Sequence, residues 1–174
     1  MFGLLLCASL IAGETKPMSF TVTSPDFQSN GAIPKKHTCE GGDVSPALQW
    51  SGAPAQTASF VVIVDDPDAP DPAAPKTVWV HWVLYNLPPT TTSLPEGLKA
   101  APAGARDGVN DWKKPGYRGP CPPVGKHRYF HKVYALDLML PELGAHATKA
   151  DVVKAMNGHV LGQAELVGTY QKTK

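Results

Sequence analysis

Twelve of the eighteen prolines in this 174-residue chain fall between residues 65 and 125. Proline fixes φ and removes a backbone donor, so this stretch cannot hold a long helix, and any central strand must fit between prolines. The apolar runs that do fit are β-branched and aromatic. Ser59 to Val64 (SFVVIV) is the continuous run expected of a strand buried on both faces. Thr77 to Leu87 (TVWVHWVLYNL) reads as a second long strand, stopped by Pro88-Pro89. Alternation predicts Trp79, His81, Val83 and Tyr85 on one of its faces and Val78, Val80, Trp82 and Leu84 on the other. Prolines that are ordered reduce the entropy lost in holding a loop, so the region predicts a rigid rim and not a linker.

Shorter strands are expected at Ser19 to Ser24 and Leu48 to Trp50, with a turn at Asn30-Gly31. Residues 90 to 118 show little period and read as one long excursion of the kind that usually carries function. Arg128 to Leu140 is the third long strand. Thr148-Lys149-Ala150-Asp151 reads as a capping box opening a helix, with Val152, Val153, Ala155 and Met156 on its apolar face and Asn157-Gly158 as its stop. A last strand runs from about Gln163 to Tyr170. Many strands and one late helix predict an all-β fold, an antiparallel β-sandwich with a peripheral helix near the C-terminus. Residues 17–174 read as a single domain.

Apolar residues make up 43% of the chain and charged residues 18%, and 16 basic against 15 acidic residues leave a net charge of +1. Nothing in this balance provides the basic stripe that phosphate neutralisation requires, so no nucleic-acid partner is expected. Lys113, Lys114, Arg118 and Lys126 form a scattered cationic rim that biases its surroundings toward anions. Phe2 to Gly13 is apolar but too short to span a bilayer comfortably, so no integral membrane span is expected. Residues 1–16 read as a signal segment or an N-terminal extension. The signal reading is preferred although no Lys or Arg precedes the apolar run, and it implies a periplasmic or secreted protein; the alternative is a cytoplasmic one. Cys39 and Cys121 both lie in loops, where they are either two free thiols or a disulfide formed in an oxidising compartment.

Two loop-to-strand junctions hold the chemistry. In Asp66-Pro67-Asp68-Ala69-Pro70, Asp66 lies where a buried strand opens into a loop, whereas Asp68 suits a structural role with Arg128 as its partner. His81 stands between Trp79 and Trp82, and His127 begins a strand just past Gly125. Two neutral or partly charged imidazoles near one aspartate suit hydrogen bonding to phosphate or carboxylate by donation from both rings. A metal site is not expected: there is no HxH or HExxH spacing, and the two histidines are far apart in sequence. The Gly-x-Ser-x-Gly elbow of serine hydrolases and glycine-rich phosphate loops are also absent. No cofactor is expected, and no residue is assigned a catalytic role.

The Asp-Pro-Asp-Ala-Pro loop, the Trp79-x-His81 strand and the Gly-Pro…Gly-x-His-Arg-Tyr segment together resemble the phosphatidylethanolamine-binding protein family. His37-Thr38-Cys39-Glu40-Gly41, Ser45-Pro46-Ala47-Leu48, Asn110-Asp111-Trp112 and Gly158-His159-Val160-Leu161 resemble its bacterial, Raf kinase inhibitor-like branch. The resemblance runs from about Phe20 to Tyr170. It implies a Greek-key β-sandwich with a small-anion pocket at one end, lined by Asp66, Trp79, His81, His127 and Tyr129, with Gly119 and Pro120 as its wall. It also implies a ligand such as phosphate, a carboxylate or a phosphoethanolamine head group. Cys121 replaces a proline found in eukaryotic members, and their C-terminal helical extension is missing, so kinase inhibition does not carry over. His131 falls where an aromatic residue is usual and is expected to be a local substitution, not a ligand. The preferred function is a non-catalytic binding protein that modulates a partner of unknown identity. The alternatives are a hydrolase acting on phosphoesters or esters, and a protease or kinase inhibitor acting through the 90–118 loop.

Overall fold

The computed structural model describes residues 19–173, so the expected leader at 1–16 lies outside the described residues. Two antiparallel sheets make the fold. The smaller contains β1 (Thr21–Thr23), β2 (Leu48–Ser51) and β5 (Ser93–Leu94), in the order β1-β2-β5. The larger contains β3 (Ser59–Asp66), β4 (Trp79–Leu87), β6 (Arg106–Asp107), β7 (Lys126–Leu136) and β8 (Val160–Gln171). Its order is β6-β4-β3-β7-β8, and the return of β7 to the free side of β3 is the non-sequential step of a Greek key. Among the described residues one α-helix, α1 (Lys149–Met156), packs on the outer face.

The continuous apolar run in β3 is explained by two cores, one on each side of the large sheet. Phe60, Val62 and Val64 face the small sheet and pack with Val22, Leu48, Trp50 and Leu94. Val61 and Ile63 face the other way and pack with Leu140, Ala147, Val152 and Met156. Burying a residue of this size contributes about 1.5–3 kcal/mol, so a strand that fills both cores anchors the domain. The helix begins as expected: Thr148 and Asp151 close a reciprocal capping box, and Gly158 follows in the left-handed region at φ 82°.

Two expectations need correction. The 90–118 segment is not one structureless excursion, because β5 and β6 lie within it and join opposite sheets. Alternation along β4 also slips. Val64 pairs with Trp82 but Asp65 pairs with Val80, which leaves His81 as the extra residue of a bulge. Val80 therefore packs with Val83 and Tyr85, while Trp82 and Leu84 serve the other core.

Candidate functional site

At the end of β3, successive residues point to opposite sides of the sheet, so two adjacent buried aspartates have separate surroundings. Asp65 takes Lys132 from β7 (2.9 Å) and Lys149 from the start of α1. Asp66 turns to the other side. Its Oδ1 accepts from the amide of Asp68 at 2.8 Å, and its Oδ2 meets Nδ1 of His127 at 2.7 Å. The aspartate–proline turn thus holds the Asp66 carboxylate in place before any ligand contributes.

Asp66, Trp79, His81, His127 and Tyr129 line one cavity of about 260 Å³. The polar residues among them are all buried, with Tyr129 and His81 at 1% and 2% exposure. Ala69, Pro70, Trp112, Cys121, Pro122 and Pro123 complete the lining. The rings pack edge to face. His81 stands 5.1 Å from Trp112 and 5.2 Å from Tyr129, and Trp79 stands 5.4 Å from Trp112. His127 stacks beside Tyr129 at 6.4 Å.

Two hydrogen bonds set His81. Its Nδ1 donates to the carbonyl of Arg118 at 2.7 Å, and the Arg118 amide donates back to the His81 carbonyl at 3.0 Å. Burial lowers the pKa of His81 despite that bond and the nearby Asp66, Asp111 and Asp65, so the ring is neutral near pH 7. Burial likewise raises the pKa of Tyr129, whose hydroxyl has no partner among the described residues.

Gly119 and Pro120 are not in the cavity wall. A Cβ on Gly119 would lie 2.2 Å from the carbonyl oxygen of His37, so glycine is required where this segment crosses the 3-10 turn Lys35–His37. The Pro120 carbonyl accepts from the Cys39 amide at 3.1 Å. Beside them Cys39 and Cys121 form a disulfide with a Cα–Cα distance of 5.4 Å. The wall is the next stretch, Cys121 to Pro123, which this docking pins. Asp68 and Arg128 lie behind the site, joined by bonds from Nε to Oδ2 (2.9 Å) and from Nη2 to Oδ1 (2.7 Å).

Trp112 belongs to a motif named above but is a lining aromatic ring that the sequence did not assign to the site. It stands half-buried over His81 because Asn110 Oδ1 accepts from its amide and Asp111 Oδ2 accepts from the Val80 amide, which ties the turn to β4. An isolated tryptophan after Asn-Asp in a Gly/Pro-rich loop was the available signal. His131 does not join the cavity. It is buried beside Phe27, with no hydrogen-bond partner for either ring nitrogen among the described residues. Among the described residues no cluster of three His, Cys, Asp or Glu side chains is arranged to hold a metal, and no helix is long and apolar enough to cross a membrane.

Both the sequence and the fold match known proteins. Residues 23–171 match the family model described as phosphatidylethanolamine-binding protein. The UPF0098 protein of Methanothermobacter thermautotrophicus is 48% identical over 149 residues, covering 84% of this chain and 95% of the relative. The structure of a phosphatidylethanolamine-binding protein homologue from Chlamydia trachomatis superposes with a TM-score of 0.81 at 41% identity, covering 89% of this chain and 99% of the other. YbcL of E. coli, described as a member of the mammalian family, superposes with a TM-score of 0.81 at 34% identity, covering 90% and 100%. With nearly its whole described length matched in both sequence and fold, the chain belongs to the phosphatidylethanolamine-binding protein family.

Proposed function

We propose that this chain is a non-catalytic binding protein whose cavity takes the oxyanion of a small ligand, a phosphoryl or carboxylate group. The observation that carries this is the Tyr129 hydroxyl, which has no partner among the described residues and is 1% exposed on the lining of an aromatic cavity. An unsatisfied buried hydroxyl costs about 1–3 kcal/mol, and a ligand acceptor at that point recovers the loss. At about 260 Å³ the cavity suits phosphate or a phosphoethanolamine head group and not a whole two-chain lipid. The family description favours the same ligand class.

The Asp66–His127 pair is the feature that would favour a hydrolase. However, His127 Nε2 donates to the carbonyl of Val124 at 2.9 Å, so that nitrogen cannot take a proton from a substrate or water. The disulfide supports a protein that works in an oxidising compartment, and export is part of the proposal. Titration of isotope-labelled protein with inorganic phosphate tests the binding role. Saturable shifts centred on Tyr129, His81 and Trp112 are expected. Their absence at millimolar phosphate rejects the reading.

A further inference from the structure

Hydrogen bonds around the cavity determine where its protons sit before a ligand arrives. A carbonyl oxygen only accepts, so His81 carries its proton on Nδ1, which donates to Arg118 at 2.7 Å. A neutral imidazole has one N–H, and its Nε2 is then a bare lone pair. His81 lines the cavity, and Nε2 has no protein partner among the described residues. His127 cannot compensate, because Nδ1 bonds Asp66 and Nε2 donates to Val124. The expectation that both imidazoles donate to the anion therefore needs correction. Of the buried side chains at the cavity floor, Tyr129 alone offers an uncommitted donor.

Among the buried side chains, a fully deprotonated anion entering this site meets the Tyr129 donor and the His81 lone pair, beside an Asp66–His127 pair whose shared proton leaves it without net charge. The same anion carrying a proton meets a donor for its oxygen and an acceptor for its proton. We propose that the cavity takes up its anion together with one proton, held between the anion and His81 Nε2. This rests on the oxyanion reading above and specifies the protonation state that the site selects.

The surroundings of His81 fit such an uptake. Asp65 and Asp66 from β3 and Asp111 from the loop after β6 all favour a charged ring, and burial alone opposes them. Arg118 presents its carbonyl to the ring and directs its guanidinium to Asp43 at 2.9 Å. From β7, Tyr129 packs against the ring, His127 is held by Asp66, and His131 lies near enough to interact with it electrostatically. A bound anion at Nε2 adds one more negative charge, and the proton comes from solvent or arrives on the ligand.

Inorganic phosphate and phosphomonoesters supply that proton themselves as monoanions. Sulfate and a phosphodiester head group such as glycerophosphoethanolamine do not, so the proton must be drawn from solvent onto His81. The experiment titrates the full chain, labelled with nitrogen-15, with sulfate, phosphate and glycerophosphoethanolamine between about pH 5.5 and 8.5. On saturation with sulfate at pH 7, His81 is expected to change from the Nδ1–H tautomer to the doubly protonated ring. The sulfate Kd should weaken about tenfold per pH unit across the alkaline half of the range. The relative affinities of phosphate and glycerophosphoethanolamine separate a free phosphate from a lipid head group as the source of the ligand. Sulfate binding that is independent of pH, with His81 still neutral, overturns the proton uptake while the anion reading stands. No shift with any of the three anions overturns both.

Discussion

Arg128 holds Asp68 through three hydrogen bonds: its backbone amide and Nε donate to Oδ2, both at 2.9 Å, and Nη2 donates to Oδ1 at 2.7 Å. The carboxylate is buried while the guanidinium is half in water. This one residue pair fastens the loop after β3 to the start of β7, next to two cavity residues, Asp66 at the end of β3 and His127 in β7.

Arg128→Ala removes two of the three donors and leaves the Asp68 carboxylate buried. It should cost about 1–3 kcal/mol near neutral pH. The Arg128 hydrogen bond holds the Asp68 pKa below its ordinary value. A lowered carboxylate pKa adds stability above the unfolded value, and that stability is lost as pH falls through the folded one. The penalty of Arg128→Ala should therefore be large in urea melts near pH 7 and shrink near pH 3; an equal penalty at both would show that the pair stores no pH-dependent stability.

His131 also loses stability on acidification, but through burial and not through pairing. Burial pushes its pKa from 6.5 down to about 4, so the folded protein keeps it neutral while the unfolded chain protonates. Stability from this residue is complete above about pH 6.5 and falls on acidification, and the loss levels off below about pH 4, amounting to about 3 kcal/mol. His131→Phe removes two unpartnered ring nitrogens and keeps an aromatic ring against Phe27. The variant should match or exceed the parent at pH 7 and lose this part of the acid sensitivity. Urea midpoints that fall in parallel for both proteins between pH 7 and pH 4 would refute it.

The fold was legible because β3 states its own environment: six consecutive apolar or small residues can satisfy only a strand with a core on each side. The helix was legible because Thr148 and Asp151 sit at capping-box spacing. The bulge at His81 was not, since nothing in TVWVHWVLYNL marks which residue is the extra one; pairing with β3 decides it. The cavity wall was misread for a related reason. Gly119 and Pro120 carry the motif, but their job is close approach to the Lys35–His37 turn, and the surface falls to the three residues after them. Trp112 was missed because the bonds that aim it run through Asn110 and Asp111 to a strand about thirty residues earlier.

The Cys39–Cys121 disulfide closes a segment of 82 residues. By chain entropy alone, such a loop corresponds to about 4–5 kcal/mol of stabilisation. Cys39→Ser should lower the urea midpoint by an amount approaching that figure. It should also weaken phosphate binding, because Cys121 to Pro123 would lose the covalent anchor and keep the backbone bond from Cys39 to Pro120 and the bond from the Gly119 amide to Asp43. Reduction of the parent protein should reproduce both effects. A reduced parent that binds phosphate as tightly as the oxidised one would confine the disulfide to a stabilising role.

Tyr129→Phe separates what the cavity does for folding from what it does for binding. The ring fills a buried position between the two histidines, and phenylalanine keeps that packing. The hydroxyl contributes nothing to the empty protein, because it has no partner among the described residues, and its raised pKa keeps it a donor throughout the ordinary pH range. Its removal should leave stability unchanged or raise it by about 1 kcal/mol. The same change takes away the one uncommitted donor at the cavity floor, so phosphate affinity should fall about tenfold or more, equivalent to about 1.4 kcal/mol. Urea melts and a phosphate titration on the same preparation test both halves. A loss of stability would mean that the hydroxyl is already satisfied in the empty protein, and unchanged affinity would remove the observation on which the binding role rests.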